Sequence, residues 1–146
     1  MKIAVGCDPN AESFKKELIS YIRELGHEVE DFGSRDPVYA NVAISVGEAV
    51  ASKKFDRGVL ICGTGIGVCI AANKVKGVYA ALVNDIYQAQ RAELSNHANI
   101  ITMGAQVTGI ELGKCLVKEY LGCEFDPESR SVPKIQRIYE YEGTVA

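Results

Sequence analysis

Short apolar runs alternate with amphipathic helical stretches along the chain, and this alternation restricts the fold more than any other feature. The clearest run, RGVLIC at 57–62, is typical of a central parallel strand that is covered on both faces. Further strands are predicted at 2–7, 27–33, 78–83 and 99–104. Helices are predicted where apolar residues recur at helical spacing, at 12–25, 38–52, 65–74, 85–95 and 107–121. This order predicts an α/β protein: a three-layer αβα sandwich around a five-stranded parallel Rossmann or flavodoxin-like sheet, with strand order 2-1-3-4-5.

The length of 146 residues fits one domain that spans residues 1–146. A tail at 126–146 lies beyond the last predicted sheet unit, and its apolar residues Ile135, Ile138 and Tyr139 predict a short extra helix. A helix without a place on its own sheet often reaches across to a second subunit. We therefore expect a homodimer, or a dimer of dimers, with shared active sites.

The composition limits the partners that we expect. With 47% hydrophobic and 24% charged residues the chain is of the globular class. The formal net charge of −3 offers no basic face for a nucleic acid. The first apolar run is too short for a signal peptide or a membrane span, so no membrane partner is expected.

The five cysteines are odd in number and form no CxxC pair. This pattern argues against a disulfide framework and against a structural zinc site. Reduced thiols in the cytoplasm fit better. We expect every cysteine other than Cys62 to be a small buried hydrophobe.

Ligands of open parallel sheets bind beyond the carboxyl ends of the strands. In this chain those ends are Cys7-Asp8, the segment 62–65, Asn84-Asp85 and Gly104. We therefore expect the functional site among these residues.

The strongest local signal is CGTGIG at 62–67, between a predicted buried strand and a helix. Glycines let backbone N–H groups approach a ligand oxygen, and the start of a helix favours negative charge. A thiol at this position, as in Cys62, favours the thiolate form. The spacing matches neither a P-loop nor the dinucleotide fingerprint. A plain tight turn and an inert core cysteine remain the alternatives.

Four segments resemble one known family. They are GCD at 6–8, ICGTGIG at 61–67, AANKVKG at 71–77 and the region of Asn96 before IITMG. Together they resemble the type B ribose-5-phosphate isomerases and the galactose-6-phosphate isomerase subunits, from the first residue to about Ile138. The resemblance implies an aldose–ketose isomerisation of a small phosphorylated sugar through a cis-enediolate, with no cofactor and no metal.

The resemblance also implies roles for the glycine loop. Cys62 would be the base that takes the proton from the carbon next to the carbonyl and returns it to the neighbouring carbon, and Thr64 would assist through its hydroxyl. Preorganised N–H groups would form the anion hole for the enediolate oxygens. The residues of this hole would be Gly63, Gly65, Ile66 and Gly67.

Outside the loop, the resemblance implies further contacts with the substrate. Asp8 would bind sugar hydroxyls, Tyr39 would line the pocket wall, and Asn96 of the neighbouring subunit would contact the reacting oxygens. Arg130 and Lys134 align with two basic residues of the family's tail motif if one insertion is allowed, and would bind the phosphate.

The chain departs from the ribose enzymes at the phosphate and ring-opening positions. Pro9 stands in place of a phosphate-contacting histidine, and Gln106 in place of an arginine. Ser95 stands where many members carry the histidine that opens the sugar ring. His97 is a candidate substitute for that histidine, with a plain surface histidine as the alternative. Because the proton-transfer residues are intact, this pattern favours the same reaction on a different sugar.

A tetrose phosphate cannot close a furanose ring through its phosphorylated C4 hydroxyl, so it needs no ring opening. YAN at 39–41, the run at 91–104 and the tail resemble the erythrose- or erythrulose-4-phosphate isomerase branch. A tetrose 4-phosphate and ribose 5-phosphate both stay open as substrates, and a galactose-6-phosphate isomerase subunit is a further alternative. Outside this family, the alternatives are a non-catalytic nucleotide- or flavin-binding module and a receiver-like signalling domain.

Overall fold

The computed structural model describes residues 1–144, so the last two residues of the predicted tail lie outside the described residues. Five strands form the sheet: β1 (Lys2–Cys7), β2 (Glu28–Asp31), β3 (Arg57–Cys62), β4 (Ala80–Leu82) and β5 (Ile100–Gly104). The helices are α1 (Glu12–Glu24), α2 (Tyr39–Ala51), α3 (Ile66–Ala72), α4 (Ile86–Leu94), α5 (Ile110–Gly122) and α6 (Val132–Glu142).

All pairs of neighbouring strands are parallel, which confirms the predicted α/β sandwich. The predicted strand order 2-1-3-4-5 is wrong at its end, because the sheet runs β2-β1-β3-β5-β4. Strand β5 is buried at every residue, whereas the three residues of β4 are only half-buried. The longer and more deeply buried strand takes the interior position beside β3, and the short strand takes the edge.

The helices cover both faces of this sheet. Side chains of α2 and α3 pack on one face, against alternate residues of β3 and β5 such as Leu60 and Ile100. Side chains of α1, α4 and α5 pack on the other face, against Ile61 and Ile101. The connection through α4 runs back from the edge strand to β5. A right-handed crossover in that direction places α4 on the face opposite α3.

The predicted tail helix is confirmed as α6, and it packs on its own chain. Ile135 is buried, and the ring centroid of Tyr139 lies 5.0 Å from that of Tyr79. The opposite side of the helix leaves Ile138 and Tyr141 exposed. Contact of this tail with a second subunit stays a prediction.

The expectation for the cysteines is correct only for Cys7, which is buried. Cys69 and Cys123 are partly exposed, and Cys115 is exposed. The buried face of α5 consists of other residues, among them Leu116 and Tyr120, so Cys115 points away from the sheet. Within residues 1–144, no helix combines the length and the apolar character needed to cross a bilayer.

Candidate active site

The predicted loop residues and Asp8 lie together at the carboxyl edge of the sheet. Strands β1 and β3 are neighbours, with Cys7 beside Ile61, so the segments that follow them leave the sheet side by side. The backbone N–H of Asp8 donates to the carbonyl of Ile61 over 3.3 Å. Asp8 therefore lies next to the strand that ends at Cys62.

The sulfur of Cys62 faces the glycine loop. The backbone N–H of Gly65 donates to Cys62 Sγ over 3.1 Å. Gly65 has a φ of +79°, in the left-handed region that glycine adopts without steric penalty, and it is the N-cap of α3. The thiol is thus held at the start of a helix, with a backbone N–H group aimed at its sulfur.

The other polar group of the loop is also oriented by the backbone. Thr64 Oγ1 accepts a hydrogen bond of 3.2 Å from the N–H of Ile66. The hydroxyl therefore lies over the first turn of α3 and retains its own proton for a further partner. This arrangement lets Thr64 donate to a bound oxygen.

Two residues of strand β5 contact the glycine loop, and these contacts were not predicted from the sequence. The hydroxyl of Thr102 is fully buried and donates to the carbonyl of Gly65 over 2.8 Å. A Cβ on Gly104 would lie 2.5 Å from the carbonyl carbon of Thr64, so only a glycine fits beneath the loop. The available signal was a polar residue inside the otherwise apolar strand IITMG.

Tyr39 lies against the first turn of α3. A Cβ placed on Gly67 would meet Tyr39 Cζ at 2.5 Å, so the phenol ring rests directly on this glycine. Tyr39 is the first residue of α2 and is exposed in part. The structure thus brings Tyr39 beside the loop, as a pocket-wall residue requires.

Asp8 is nearly buried, and its carboxylate caps a short 3-10 turn that begins at Pro9. Its Oδ1 accepts a hydrogen bond of 3.1 Å from the N–H of Asn10. This bond fixes the carboxylate at the carboxyl edge of the sheet, next to the strand that ends at Cys62.

The neighbouring thiol of Cys7 is chemically different from Cys62. Burial is the main cause that raises the pKa of Cys7 to about 12. Cys7 therefore stays protonated near neutral pH and packs as an apolar side chain among Ile3, Leu18 and Ile61.

The remaining predicted residues lie at the opposite edge of the sheet. Ser95, Asn96 and His97 connect α4 to the start of β5, Arg130 precedes α6, and Lys134 lies in the first turn of that helix. The six residues of β3 separate the two edges by roughly 16 Å. One chain therefore does not bring these residues to its own Cys62.

Comparison with known proteins shows which family this geometry belongs to. The family profile described as Ribose/Galactose Isomerase matches residues 3–138. The D-erythrulose-4-phosphate isomerase 2 of Mycolicibacterium smegmatis is 47% identical over 98% of this chain and 98% of its own. The ribose-5-phosphate isomerase B of Escherichia coli is 40% identical over 86% of each chain. The structure of Clostridium thermocellum ribose-5-phosphate isomerase B superposes with a TM-score of 0.92 at 38% identity, over 98% of both chains.

This chain belongs to the ribose/galactose isomerase family. It is a sugar-phosphate isomerase of the aldose–ketose class. The predicted family is confirmed, and the nucleotide- or flavin-binding and receiver-like alternatives are set aside.

The residues at the opposite edge, where the strands begin (the amino edge), form hydrogen bonds within their own chain. Ser95 Oγ accepts a hydrogen bond of 2.6 Å from Arg91 Nε, and Asn96 Nδ2 donates to the carbonyl of Arg91 over 3.1 Å. The exposed side chain of Asn96 keeps its carbonyl oxygen free for a further contact.

His97 adopts a positive φ of 49°, and its ring stacks on Phe125 with centroids 4.6 Å apart. Its Nε2 lies 3.7 Å from Glu93 Oε1. Burial, followed by the charge of Arg57, lowers the pKa of His97, so the ring is neutral at pH 7 despite this carboxylate. Its partners are structural groups of its own chain.

A cavity of about 590 Å³ also lies at the amino edge, between α6 and the start of β3. Arg57, Glu93, Phe125 and Tyr139 are among its walls. The cavity is therefore separate from the glycine loop at Cys62 and belongs to the packing of the tail.

Proposed function

We propose that this isomerase interconverts a ketose and an aldose tetrose 4-phosphate, erythrulose 4-phosphate and erythrose 4-phosphate, with Cys62 as the base. The observation that carries the proposal is the contact of 3.1 Å between the N–H of Gly65 and the Cys62 sulfur. This contact places the sulfur, as the proton acceptor, in the same loop as the main-chain N–H donors.

The chemistry requires both parts. A C–H group beside a carbonyl is a weak acid, so its removal depends on stabilising the oxyanion that forms. In the ketose-to-aldose direction, the Cys62 thiolate takes a proton from C1, and the electron pair moves into the C1–C2 bond as the C2 carbonyl becomes an enediolate oxygen. The resulting thiol then returns the proton to C2, while the hydroxyl proton moves from O1 to O2 and C1 becomes the aldehyde.

The loop provides groups for each of these movements. We assign the enediolate oxygens to main-chain N–H groups of the segment Gly63–Gly67, where the start of α3 adds favourable potential. Two of these groups, on Gly65 and Ile66, donate to Cys62 Sγ and Thr64 Oγ1 within the loop. Thr64 can relay the proton that moves from O1 to O2. Its Oγ1 accepts from the N–H of Ile66, and this contact does not use the hydroxyl's own proton. Asp8 is fixed where it can accept from a sugar hydroxyl.

The phosphate and the reacting oxygens both need contacts from residues that the same chain holds at its other edge. We infer that a second copy supplies Asn96, Arg130 and Lys134, so that each site combines the carboxyl edge of one subunit with the amino edge of another. A charge-assisted contact to phosphate is stronger than a neutral hydrogen bond, which suits the two basic residues to this task.

The absence of a ring-opening histidine supports the tetrose. Ser95 occupies that position, and its hydroxyl already accepts from Arg91. The neutral, stacked ring of His97 is a poor replacement. A tetrose 4-phosphate has an open chain, so it needs no residue that opens a ring. In addition, a relative at 47% identity carries the name D-erythrulose-4-phosphate isomerase 2.

Ribose 5-phosphate is the second candidate, because the Escherichia coli relative at 40% identity is named ribose-5-phosphate isomerase B. An assay of the purified chain across erythrose, erythrulose, ribose, allose and galactose phosphates separates the two. We expect the highest kcat/KM for the tetrose pair. A higher kcat/KM for ribose 5-phosphate would overturn the substrate, and activity of the lone chain would exclude an inactive half of a hetero-oligomer.

A further inference from the structure

We propose that Thr102 is a positioning residue for the anion hole, acting through Gly65 without touching the substrate. This inference rests on the proposed function, because it assigns the support of the loop in which Cys62 and the main-chain donors meet.

The hydrogen bonds of Gly65 carry the argument. Its N–H donates to Cys62 Sγ over 3.1 Å, and its carbonyl accepts from Thr102 Oγ1 over 2.8 Å. The peptide that contains this carbonyl also contains the N–H of Ile66, which donates to Thr64 Oγ1 over 3.2 Å. One hydroxyl from β5 therefore fixes the Gly65–Ile66 peptide, which makes the Thr64 contact and directly follows the peptide whose N–H contacts the sulfur.

Backbone N–H groups of Ala105 and Gln106 hold the carbonyls of Cys62 and Gly63, and the Thr102 hydroxyl holds that of Gly65. Glycine at position 65 can rotate more freely than any other residue, and its φ of +79° is only one of several accessible values. A Cβ at this position would lie 2.7 Å from the backbone carbonyl carbon of Met103, so Gly65 abuts the backbone of β5. Packing limits its position, and the Thr102 hydroxyl selects its rotation.

Thr102 itself cannot contact a substrate, because its side chain is fully buried. It reaches the loop only because β5, and not β4, pairs with β3, which places Thr102 beside Leu60 and Gly104 beside Cys62. Its effect should appear where charge develops on the enediolate oxygens, and not in the binding of the ground state.

The test replaces Thr102 by valine, which has the same shape and lacks the hydroxyl. We expect kcat for the tetrose phosphate to fall by about tenfold, the effect of one well-oriented hydrogen bond, with KM changed by less than about twofold. Thr102→Ser should restore most of the loss, because it returns the hydroxyl. Ile101→Val is the matched control: it removes a buried methylene from the adjacent residue of β5, whose side chain packs in the opposite layer.

A binding measurement separates this inference from the identity of the base. The hydroxamate of 3-phosphoglycerate carries two oxygens in the arrangement of the enediolate, and its affinity can be measured by calorimetry in a Cys62→Ser background. Adding Thr102→Val there should weaken its binding by about the same factor as kcat falls. Equal affinity with and without Thr102→Val would overturn the positioning role, even if Cys62 proves to be the base. Weaker binding with full activity of Cys62→Ser would instead overturn the base and keep the role of Thr102.

Discussion

The phenol of Tyr79 donates a hydrogen bond of 2.5 Å to Glu142 Oε2 and so joins the edge of the sheet to the last turn of α6. The same carboxylate accepts from the N–H of Gly77 over 3.0 Å and from the hydroxyl of Thr144 over 2.6 Å. Glu142 therefore gathers three donors from two parts of the chain. It anchors the helix that follows Arg130 and carries Lys134.

Glu142→Gln should loosen this anchor. Burial opposes the charged carboxylate, but hydrogen bonds from Thr144, Tyr79 and Gly77 outweigh it and lower the pKa of Glu142 below its ordinary value of 4.5. A lowered folded-state pKa contributes stability that is complete above the unfolded value and is lost as the pH falls through the folded value. We expect thermal unfolding to show a loss of about 0.5–1 kcal/mol at pH 7 because the carboxylate is partly exposed.

The difference between wild type and Glu142→Gln should shrink as the pH falls below 4.5, and it should be gone once the carboxylate is protonated. Glu140→Gln is the control, since within residues 1–144 the Glu140 side chain makes only an exposed ion pair of 3.9 Å with Arg137. Equal melting temperatures of Glu142→Gln and wild type at pH 7 would contradict the anchor.

Cys62→Ser should reduce kcat by about 10²–10⁴-fold, the range for loss of a general base, with the circular dichroism spectrum and substrate binding retained. Cys115→Ser is the control because Cys115 is exposed on the outer side of α5. Steady-state kinetics with each variant check this prediction. Turnover near the wild-type rate in Cys62→Ser would remove the sulfur from its proposed role.

The double variant Arg130→Ala and Lys134→Ala should raise KM for the tetrose phosphate by about tenfold or more, because two charge-assisted phosphate contacts are lost. Stability should change little, since both side chains are exposed. An unchanged KM in titrations of initial rate would locate the phosphate elsewhere.

Subunit mixing tests whether the sites are shared. In a mixed dimer of Cys62→Ser and the double variant, one site carries both defects and the other carries neither. At substrate concentrations far below the wild-type KM both parent variants have low activity, and random exchange between them should therefore recover about a quarter of the wild-type activity. No recovery after exchange, verified by native mass spectrometry, would mean that each chain builds its own site.

Gly67→Ala should displace Tyr39, because the added Cβ would lie 2.5 Å from Tyr39 Cζ. Alanine is the better helix former, so the variant should fold normally while kcat/KM falls by about tenfold. If the displaced ring is the cause, Gly67→Ala, Tyr39→Ala and the double variant should have similar kcat/KM values. Additive losses in the double variant would show that Gly67 acts independently of Tyr39.

The local part of the site was predictable from sequence. Cys62, Thr64 and the following glycines form one continuous segment, and the apolar run before them fixes where the strand ends. The Gly65 contact with the sulfur then depends on residues only three positions apart. Thr102 was not predictable in the same way, because its partner is 37 residues away and the contact requires β5 beside β3.

By itself, the sequence determined the α/β class, the positions of strands and helices, and the glycine loop after Cys62. These follow from apolar periodicity and from backbone preferences, which are properties of neighbouring residues. Only the tertiary structure decided that β5 lies inside the sheet and β4 at its edge, that Thr102 supports Gly65, and that His97 and the start of α6 lie opposite Cys62. Those features depend on which of two apolar strands fills an interior position more completely, a competition between distant segments that no local pattern encodes.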